Sequence, residues 1–116
     1  MKLFLIVMIF SLTSTIVNAE KLKQSEYDEV VRNLIHVGAN ASRELMESKT
    51  RLNMSKYSCI KITALEEVKK LSESNRHLKG AYEMEIKVTE FIKDAISPIE
   101  QAGYTKEMLC EIWQNS

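Results

Sequence analysis

Apolar residues recur at alternating intervals of four and three residues along most of the chain, which is the spacing of amphipathic helices. A first seam of this kind consists of Tyr27, Val31, Leu34, Gly38, Ala41 and Leu45, followed by Ser48 and Leu52. The 116 residues include only three Gly and one Pro, whereas strand-rich folds need many of both at their turns. The sequence therefore predicts an all-α fold and speaks against a β-sandwich or β-barrel.

A second seam keeps one seven-residue phase through Tyr57, Ala64, Leu71, Leu78, Ile92 and Ile99. The polar stretch 72–77 interrupts it but contains neither Gly nor Pro. We therefore favour one long helix over residues 56–96, after a first helix over residues 26–51 and a turn at residues 53–56. Two helices joined near residue 74 are the alternative. Either arrangement is a small antiparallel helical hairpin or bundle of three to four helices.

Local signals predict where the helices begin and end. Ser25 starts a Ser-x-x-acid pattern that suits the N-cap of the first helix. Ser97 precedes Pro98, the arrangement of an N-cap before the first helical residue, and predicts a short helix over residues 98–102. Gly103 suits the left-handed end of that helix. Thr105 then caps a last helix over residues 106–114.

The first nineteen residues have the layout of a secretory signal peptide. Lys2 supplies the positive charge, residues 3–10 are all apolar, and small residues precede a cleavage point after Ala19. An uncleaved anchor is the alternative, although the apolar run is about half the length that a spanning helix needs. We expect residues 20–116 to form a single helical domain that is secreted or periplasmic and does not span a membrane.

The two cysteines, Cys59 and Cys110, both lie in the expected mature chain. An exported chain with two cysteines most simply forms one disulfide bond, because its compartment is oxidising. Their spacing is not the Cys-x-x-Cys pattern of redox proteins. Two Asn-x-Ser sequons, at Asn40 and Asn53, would matter in a host with an endoplasmic reticulum, and Asn53 in the predicted turn is the better acceptor.

Composition and motifs argue against several kinds of chemistry. Sixteen basic and sixteen acidic side chains cancel, so the basic excess of a nucleic-acid-binding protein is missing. The two histidines, His36 and His77, belong to no metal-binding motif, and we expect neither a metal nor another cofactor. The sequence has no Gly-rich phosphate loop and no nucleophile elbow, so we expect no catalytic residue. Glu85 is unusual because it occupies a seam position.

The preferred hypothesis is an exported non-enzymatic helical protein that acts through a protein partner or self-association. An envelope accessory factor, an inhibitor or immunity protein and a chaperone-like protein all fit this description. The first seam is the candidate interaction surface, unless the two seams bury each other as the core. The alternative is a small secreted carrier of an apolar ligand, with a cavity lined by Met46, Met84, Phe91, Met108 and Trp113.

Overall fold

A computed structural model of the protein describes residues 21–116, so the predicted signal peptide and its cleavage point lie outside the described residues. Within residues 21–116 the chain forms four α-helices and no strand. The helices are α1 (Gln24–Glu47), α2 (Arg51–Ser74), α3 (Ala81–Gln101) and α4 (Lys106–Gln114). The predicted all-α class is therefore confirmed. None of these four helices combines the length and the apolar character that crossing a bilayer requires.

Helix α2 is the centre of the molecule. Each of the other three helices packs against it, whereas α1, α3 and α4 hardly approach one another. The main hydrophobic cluster lies at the end of the molecule where the α2–α3 connection meets the start of α1. It consists of Leu22, Tyr27, Val31, Leu34, Leu65, Val68, Leu71, Ala81 and Val88. Toward the other end of the molecule, α4 packs on α2 through the buried residues Leu109 and Trp113, and an open groove lies beside it.

The predicted boundaries of the first helix are wrong by a few residues at each end. Helix α1 begins at Gln24 rather than after Ser25, and the Glu26 side chain accepts a hydrogen bond from the Lys23 backbone N–H at 2.9 Å. It ends at Glu47, and the Thr50 hydroxyl accepts from the Asn53 N–H at 3.1 Å to cap α2. The predicted turn at residues 53–56 therefore lies inside α2, because the chain uses the earlier cap.

The long helix favoured over residues 56–96 is wrong, and the two-helix alternative is correct. Helix α2 ends at Ser74, and the next residue, Asn75, is almost fully buried. The Asn75 side chain accepts from the Leu22 N–H at 3.0 Å and donates to the Leu71 carbonyl at 2.9 Å. Gly80 then adopts a φ of 83°, which favours glycine, immediately before α3. The break is made by tertiary hydrogen bonds together with this glycine.

The predicted separate helix over residues 98–102 is also wrong, because Pro98 lies inside α3. Ser97 is not a cap, and its hydroxyl accepts from the Gln101 side chain at 3.2 Å. Ala95 and Ile99 continue the face that α3 turns toward α2, so burial favours one continuous helix despite the backbone hydrogen bond that proline cannot donate. Gly103, at φ 88°, ends α3 in the left-handed conformation expected of it.

Helix α4 begins and ends where the sequence predicts. The Thr105 hydroxyl accepts from the Met108 N–H at 3.1 Å, so it satisfies one of the free donors at the helix start. We expect Thr105→Ala to lower the free energy of unfolding by about 0.5–2 kcal/mol. Ser97→Ala, which removes no cap, should change it by less than about 0.5 kcal/mol. Urea unfolding of both variants tests this, and an equal loss in both would contradict the assignment of the caps.

Candidate functional site

The first seam, proposed from the sequence as an interaction surface, faces the interior of the chain. Tyr27, Val31 and Leu34 belong to the main hydrophobic cluster. Gly38 and Ala41 are also buried, and Leu45 is half-buried. The Tyr27 hydroxyl lies 2.7 Å from the Ser72 hydroxyl, and burial raises the pKa of Tyr27. Tyr27, Val31 and Leu34 therefore pack within the chain, whereas Gly38 and Leu45 also line the groove that begins where this cluster ends.

A groove opens between α1 and α3 where the main hydrophobic cluster ends. In the narrower part, α1 and α3 form two walls over a floor from α2. In the wider part, α1 contributes only Leu45, and the rest of the lining comes from α2, α3 and residues 102–109. The narrower part has a volume of about 340 Å³ and is lined mainly by Ile35, Gly38, Ala39, Ser42, Leu65 and Phe91. The wider part has a volume of about 540 Å³ and is lined mainly by Leu45, Met54, Ser58, Ile62, Pro98 and Ile99. Lys61, Asp94 and Ala95 line both parts, so the two adjoin and are called here the α1–α3 groove.

Small residues give the groove its depth. Apart from its chain neighbours and the nearby backbone of α1, a Cβ atom added to Gly38 would meet no atom within 4 Å, although Gly38 itself is buried. Ala39 and Ser42 continue this wall on α1, and Ala95 faces the groove from α3. The sequence suggests that another helix could approach closely at Gly38. Among residues 21–116, no atom of another helix lies within 4 Å of that Cβ position.

Large apolar side chains stand at the edges of the groove. Ile35 is 38% exposed, Phe91 is 48% exposed and Met54 is 51% exposed. All three line the groove, and each therefore has one side against the protein and another in solvent. Scattered exposed apolar residues are ordinary, and it is the concave grouping of these three that makes the groove the candidate site.

Three ionisable side chains line the groove amid this apolar surface. Lys61 and Asp94 lie where its two parts meet, and Arg51 lies in the wider part. The ion pairs found within residues 21–116 involve other side chains, so neither cation is neutralised there by a carboxylate. The Arg51 guanidinium lies 5.5 Å from the centre of the Tyr104 ring, within the range of a cation–π contact.

Helix α4 closes one end of the groove and is attached firmly to α2. The sulfur atoms of Cys59 and Cys110 lie 2.06 Å apart, so the predicted pair is at disulfide distance. The Lys106 ammonium lies 2.7 Å from a carboxylate oxygen of Glu66 and joins the same two helices. Leu109, one residue before Cys110, lines the groove. The disulfide therefore holds part of the groove wall in place.

Of the five residues proposed from the sequence to line a carrier cavity, only Phe91 lines the groove. Of the proposed carrier residues, Met46 and Met108 are exposed, Met84 packs against the main hydrophobic cluster, and Trp113 is buried on α4. His36 and His77 are exposed. Within residues 21–116 no three His, Cys, Asp or Glu side chains are grouped so that they could hold a metal ion. Asn40 and Asn53 are exposed helical residues, so Asn53 does not lie in a turn.

Glu85 has a structural partner that explains its seam position. Its two carboxylate oxygens accept hydrogen bonds from Arg76 Nε and Nη2, both at 2.7 Å. Arg76 lies in the α2–α3 connection, so this bidentate pair fastens the connection to α3. The hydrogen bonds from Arg76 lower the pKa of the Glu85 carboxyl group from its ordinary value of 4.5.

We expect Glu85→Gln to lower the melting temperature at pH 7. Because the carboxyl pKa is lower in the folded state, the pair stabilises the fold above pH 4.5. That contribution is lost as the pH falls through the folded-state pKa, so the variant and the wild type should converge in acid. Thermal melts from pH 7 to pH 2.5 test this, with Glu90→Gln, an exposed residue of α3, as the control. A difference in melting temperature that stays constant with pH would contradict the prediction.

In comparisons with known proteins, no family model, no curated protein and no solved structure matches this chain. The candidate site is therefore defined by the geometry of the groove alone. The sequence pattern placed Gly38, Leu45, Ala95 and Ile99 in seams and Phe91 in a possible cavity, but it did not single out Lys61 or Asp94. The available signal was Ala95, a small residue at a seam position opposite Gly38 on α1.

Proposed function

We propose that this is an exported, non-enzymatic binding protein that acts through contact with a protein partner in the α1–α3 groove. The observation that carries the proposal is the concave apolar surface between two helices that share a floor but do not close on each other. An envelope accessory factor, an inhibitor and a chaperone-like protein would all need such a surface.

The lining of the groove suits recognition better than bond breaking. Most of it is aliphatic or aromatic, and its ionisable groups are one carboxylate and two cations. Apolar side chains supply most of the free energy of binding when they leave water, and a few polar groups orient the partner. The expected export of the chain and its disulfide fit a partner outside the cytoplasm.

Site-specific photo-crosslinking in the native host tests this proposal. A benzophenone side chain at Ala39, which lines the groove, should form an adduct with a partner protein. The same side chain at Asn33, which is exposed on α1 outside the groove, should not. Ala95→Trp should abolish the Ala39 adduct because the indole fills the junction of the two parts. Gly38→Ala, for which the groove has room, should retain it.

Thermal melts of each variant establish that it folds before crosslinking is compared. Equal adducts at Ala39 and Asn33 would contradict the proposal. An Ala39 adduct that survives Ala95→Trp in a folded protein would also contradict it. The second filling variant, Gly38→Trp, gives an independent measurement if Ala95→Trp does not fold.

A carrier of small apolar ligands is the second candidate, favoured by one specific observation. The wider part of the groove, at about 540 Å³, is within the size range of small-molecule sites. Phe91 lines its narrower neighbour, as the carrier hypothesis expects. Mass spectrometry of an organic extract of the exported protein tests this candidate. A lipid that co-purifies with the wild type but not with Ala95→Trp would favour the carrier over the protein-binding function.

A further inference from the structure

The packing of the long helices leaves one position unfilled. Helices α1 and α3 both pack on α2 but hardly approach each other. In a four-helix bundle a further helix lies against two neighbours and completes the core between them. A helix placed over the α2 floor would contact α1 on one side and α3 on the other, and it would cover the apolar surface that now faces solvent.

The length of the walls sets the length of the occupant. At 1.5 Å per residue, the α1 wall extends for about 15 Å from Ile35 to Leu45, and the α3 wall extends for about 12 Å from Phe91 to Ile99, with Ala102 just beyond the end of α3. Both pairs of residues line the groove. A helix of about eleven residues, or three turns, has this length. Its inward side chains would recur at the i, i+3, i+4 and i+7 positions of an amphipathic helix.

The shape of the groove favours a helix over a single alkyl chain. The groove is open to solvent along one side, so an alkyl chain would leave apolar surface in water, whereas an amphipathic helix would place its polar face there. Ile35, Met54 and Phe91 at the edges would stay partly exposed beside a thin chain, and a helix is wide enough to cover them. The open position above Gly38 leaves room for an inward side chain of the occupant to approach α1 closely.

The charges of the groove indicate the charge of the occupant. Lys61 and Arg51 outnumber Asp94 among the lining residues, and no ion pair within residues 21–116 includes either cation. Lys61, which is half-buried, and Asp94, which is exposed, both line the junction of the two parts, so the middle of a helix that fills both parts faces one charge of each sign. The excess positive charge of the lining comes from Arg51. A carboxylate at the middle of that helix would be favourable, because a charge-assisted hydrogen bond is strong in a partly desolvated site.

We propose that the α1–α3 groove receives an acidic amphipathic α-helix of about three turns from a protein partner, with a central carboxylate of that helix bound by Lys61. This inference rests on the proposed function and specifies the element of the partner that binds. The bound helix packs on α2 between the long helices α1 and α3, and its apolar side chains lie against Gly38 on α1 and Ala95 on α3.

Selection from a displayed library of random sixteen-residue peptides tests the inference without knowledge of the partner. The mature chain, residues 20–116, is the bait. Peptides that also bind the folded Ala95→Trp variant are removed by counter-selection, because they bind outside the α1–α3 groove. The enriched peptides should show apolar residues at helical spacing and an Asp or Glu in the middle. Circular dichroism of a selected peptide should show helix on binding, and a scrambled peptide of equal composition should not bind.

A double-mutant cycle then tests the contact with Lys61. Lys61→Gln should weaken binding of the selected peptide about tenfold, and so should replacement of its central acid by the amide. The two changes together should weaken binding no further than either alone, because they remove the same contact. Lys69→Gln, on the same helix but outside the groove lining, is the matched control and should leave the affinity unchanged. Additive losses would overturn the assigned contact.

The remaining outcomes separate failure of the inference from failure of the proposed function. Groove-dependent peptides without helical spacing would overturn the helical occupant and leave the groove as a protein-binding site. Release of a selected peptide by sodium dodecanoate below its micelle-forming concentration would assign the groove to an acyl ligand. A wild-type dimer in sedimentation that Ala95→Trp abolishes would make the occupant a second copy of this chain. Enrichment only of peptides that bind Ala95→Trp equally well would overturn the groove itself as the binding site.

Discussion

Replacing Cys59 and Cys110 together by Ala should lower the free energy of unfolding by about 2–5 kcal/mol. The two residues are 51 positions apart, so the bond removes much of the conformational freedom of the unfolded chain. It also attaches α4, which at nine residues is too short to be stable by itself. Urea unfolding of the oxidised wild type and of the double variant measures the loss. Hydrogen exchange should increase first in residues 104–116.

The Lys106–Glu66 ion pair provides the control for this prediction, because it joins the same two helices without a covalent bond. Lys106→Gln should cost no more than about 1 kcal/mol, since the pair is only partly buried. Titration of thiols in denatured, non-reduced protein from the exported fraction should find none. Two reactive thiols per chain would mean that the cysteines remain reduced and would contradict the prediction.

Leu71→Ala should be the most damaging single change in the core, with an expected loss of about 2–5 kcal/mol. The Leu71 side chain is fully buried in the main hydrophobic cluster, so its removal leaves a cavity between α2 and its neighbours. Leu52→Ala is a matched control on the same helix, because Leu52 is 42% exposed and its removal leaves no closed cavity. We expect Leu52→Ala to cost less than about 1 kcal/mol.

Chemical denaturation of the two leucine variants tests this prediction. If the free energy of unfolding falls with denaturant concentration at the same rate as in the wild type, the variants expose the same surface on unfolding. Equal losses at Leu71 and Leu52 would mean that the described core does not carry the stability of the fold. Leu71 does not line the α1–α3 groove, so a loss of binding in Leu71→Ala would be attributed to loss of the fold and not to a contact with the partner.

The helical class and the whole of α4 could be predicted because their signals are local. The spacing of apolar residues depends only on the geometry of one helix, and Thr105 and Gly103 act on the residues next to them. The cysteine pairing could be predicted for a similar reason, since two cysteines in a chain that is expected to be exported allow only one pairing within the chain. Each of these inferences needs no knowledge of how the helices are arranged.

The break between α2 and α3 depends on contacts that are distant in sequence. Asn75 ends α2 while it binds the backbone of Leu22, 53 residues earlier. Lys79 likewise exchanges two hydrogen bonds with the side chain of Gln24. Only Gly80 was a local signal, and it lies beyond the polar stretch on which the prediction concentrated. The continuous apolar phase across the break therefore favoured the wrong helix.

The candidate site escaped prediction because a groove is a property of the space between elements. Gly38 and Ala95 read as small core residues in sequence, and only the divergence of α1 from α3 leaves them beside open space. Lys61 and Asp94 read as residues of a solvated face. The first seam is ambiguous for a related reason: a regular apolar pattern indicates burial, but it does not show whether the burial occurs inside one chain or between two chains.

The central position of α2 has a mechanical consequence for the molecule. Since α1 and α3 pack on α2 and hardly on each other, the width of the opening depends on two separate packing contacts with α2. The cysteine bridge ties α4, which lines one end of the opening, covalently to α2, whereas the end beside Ile35 has no such tether within residues 21–116.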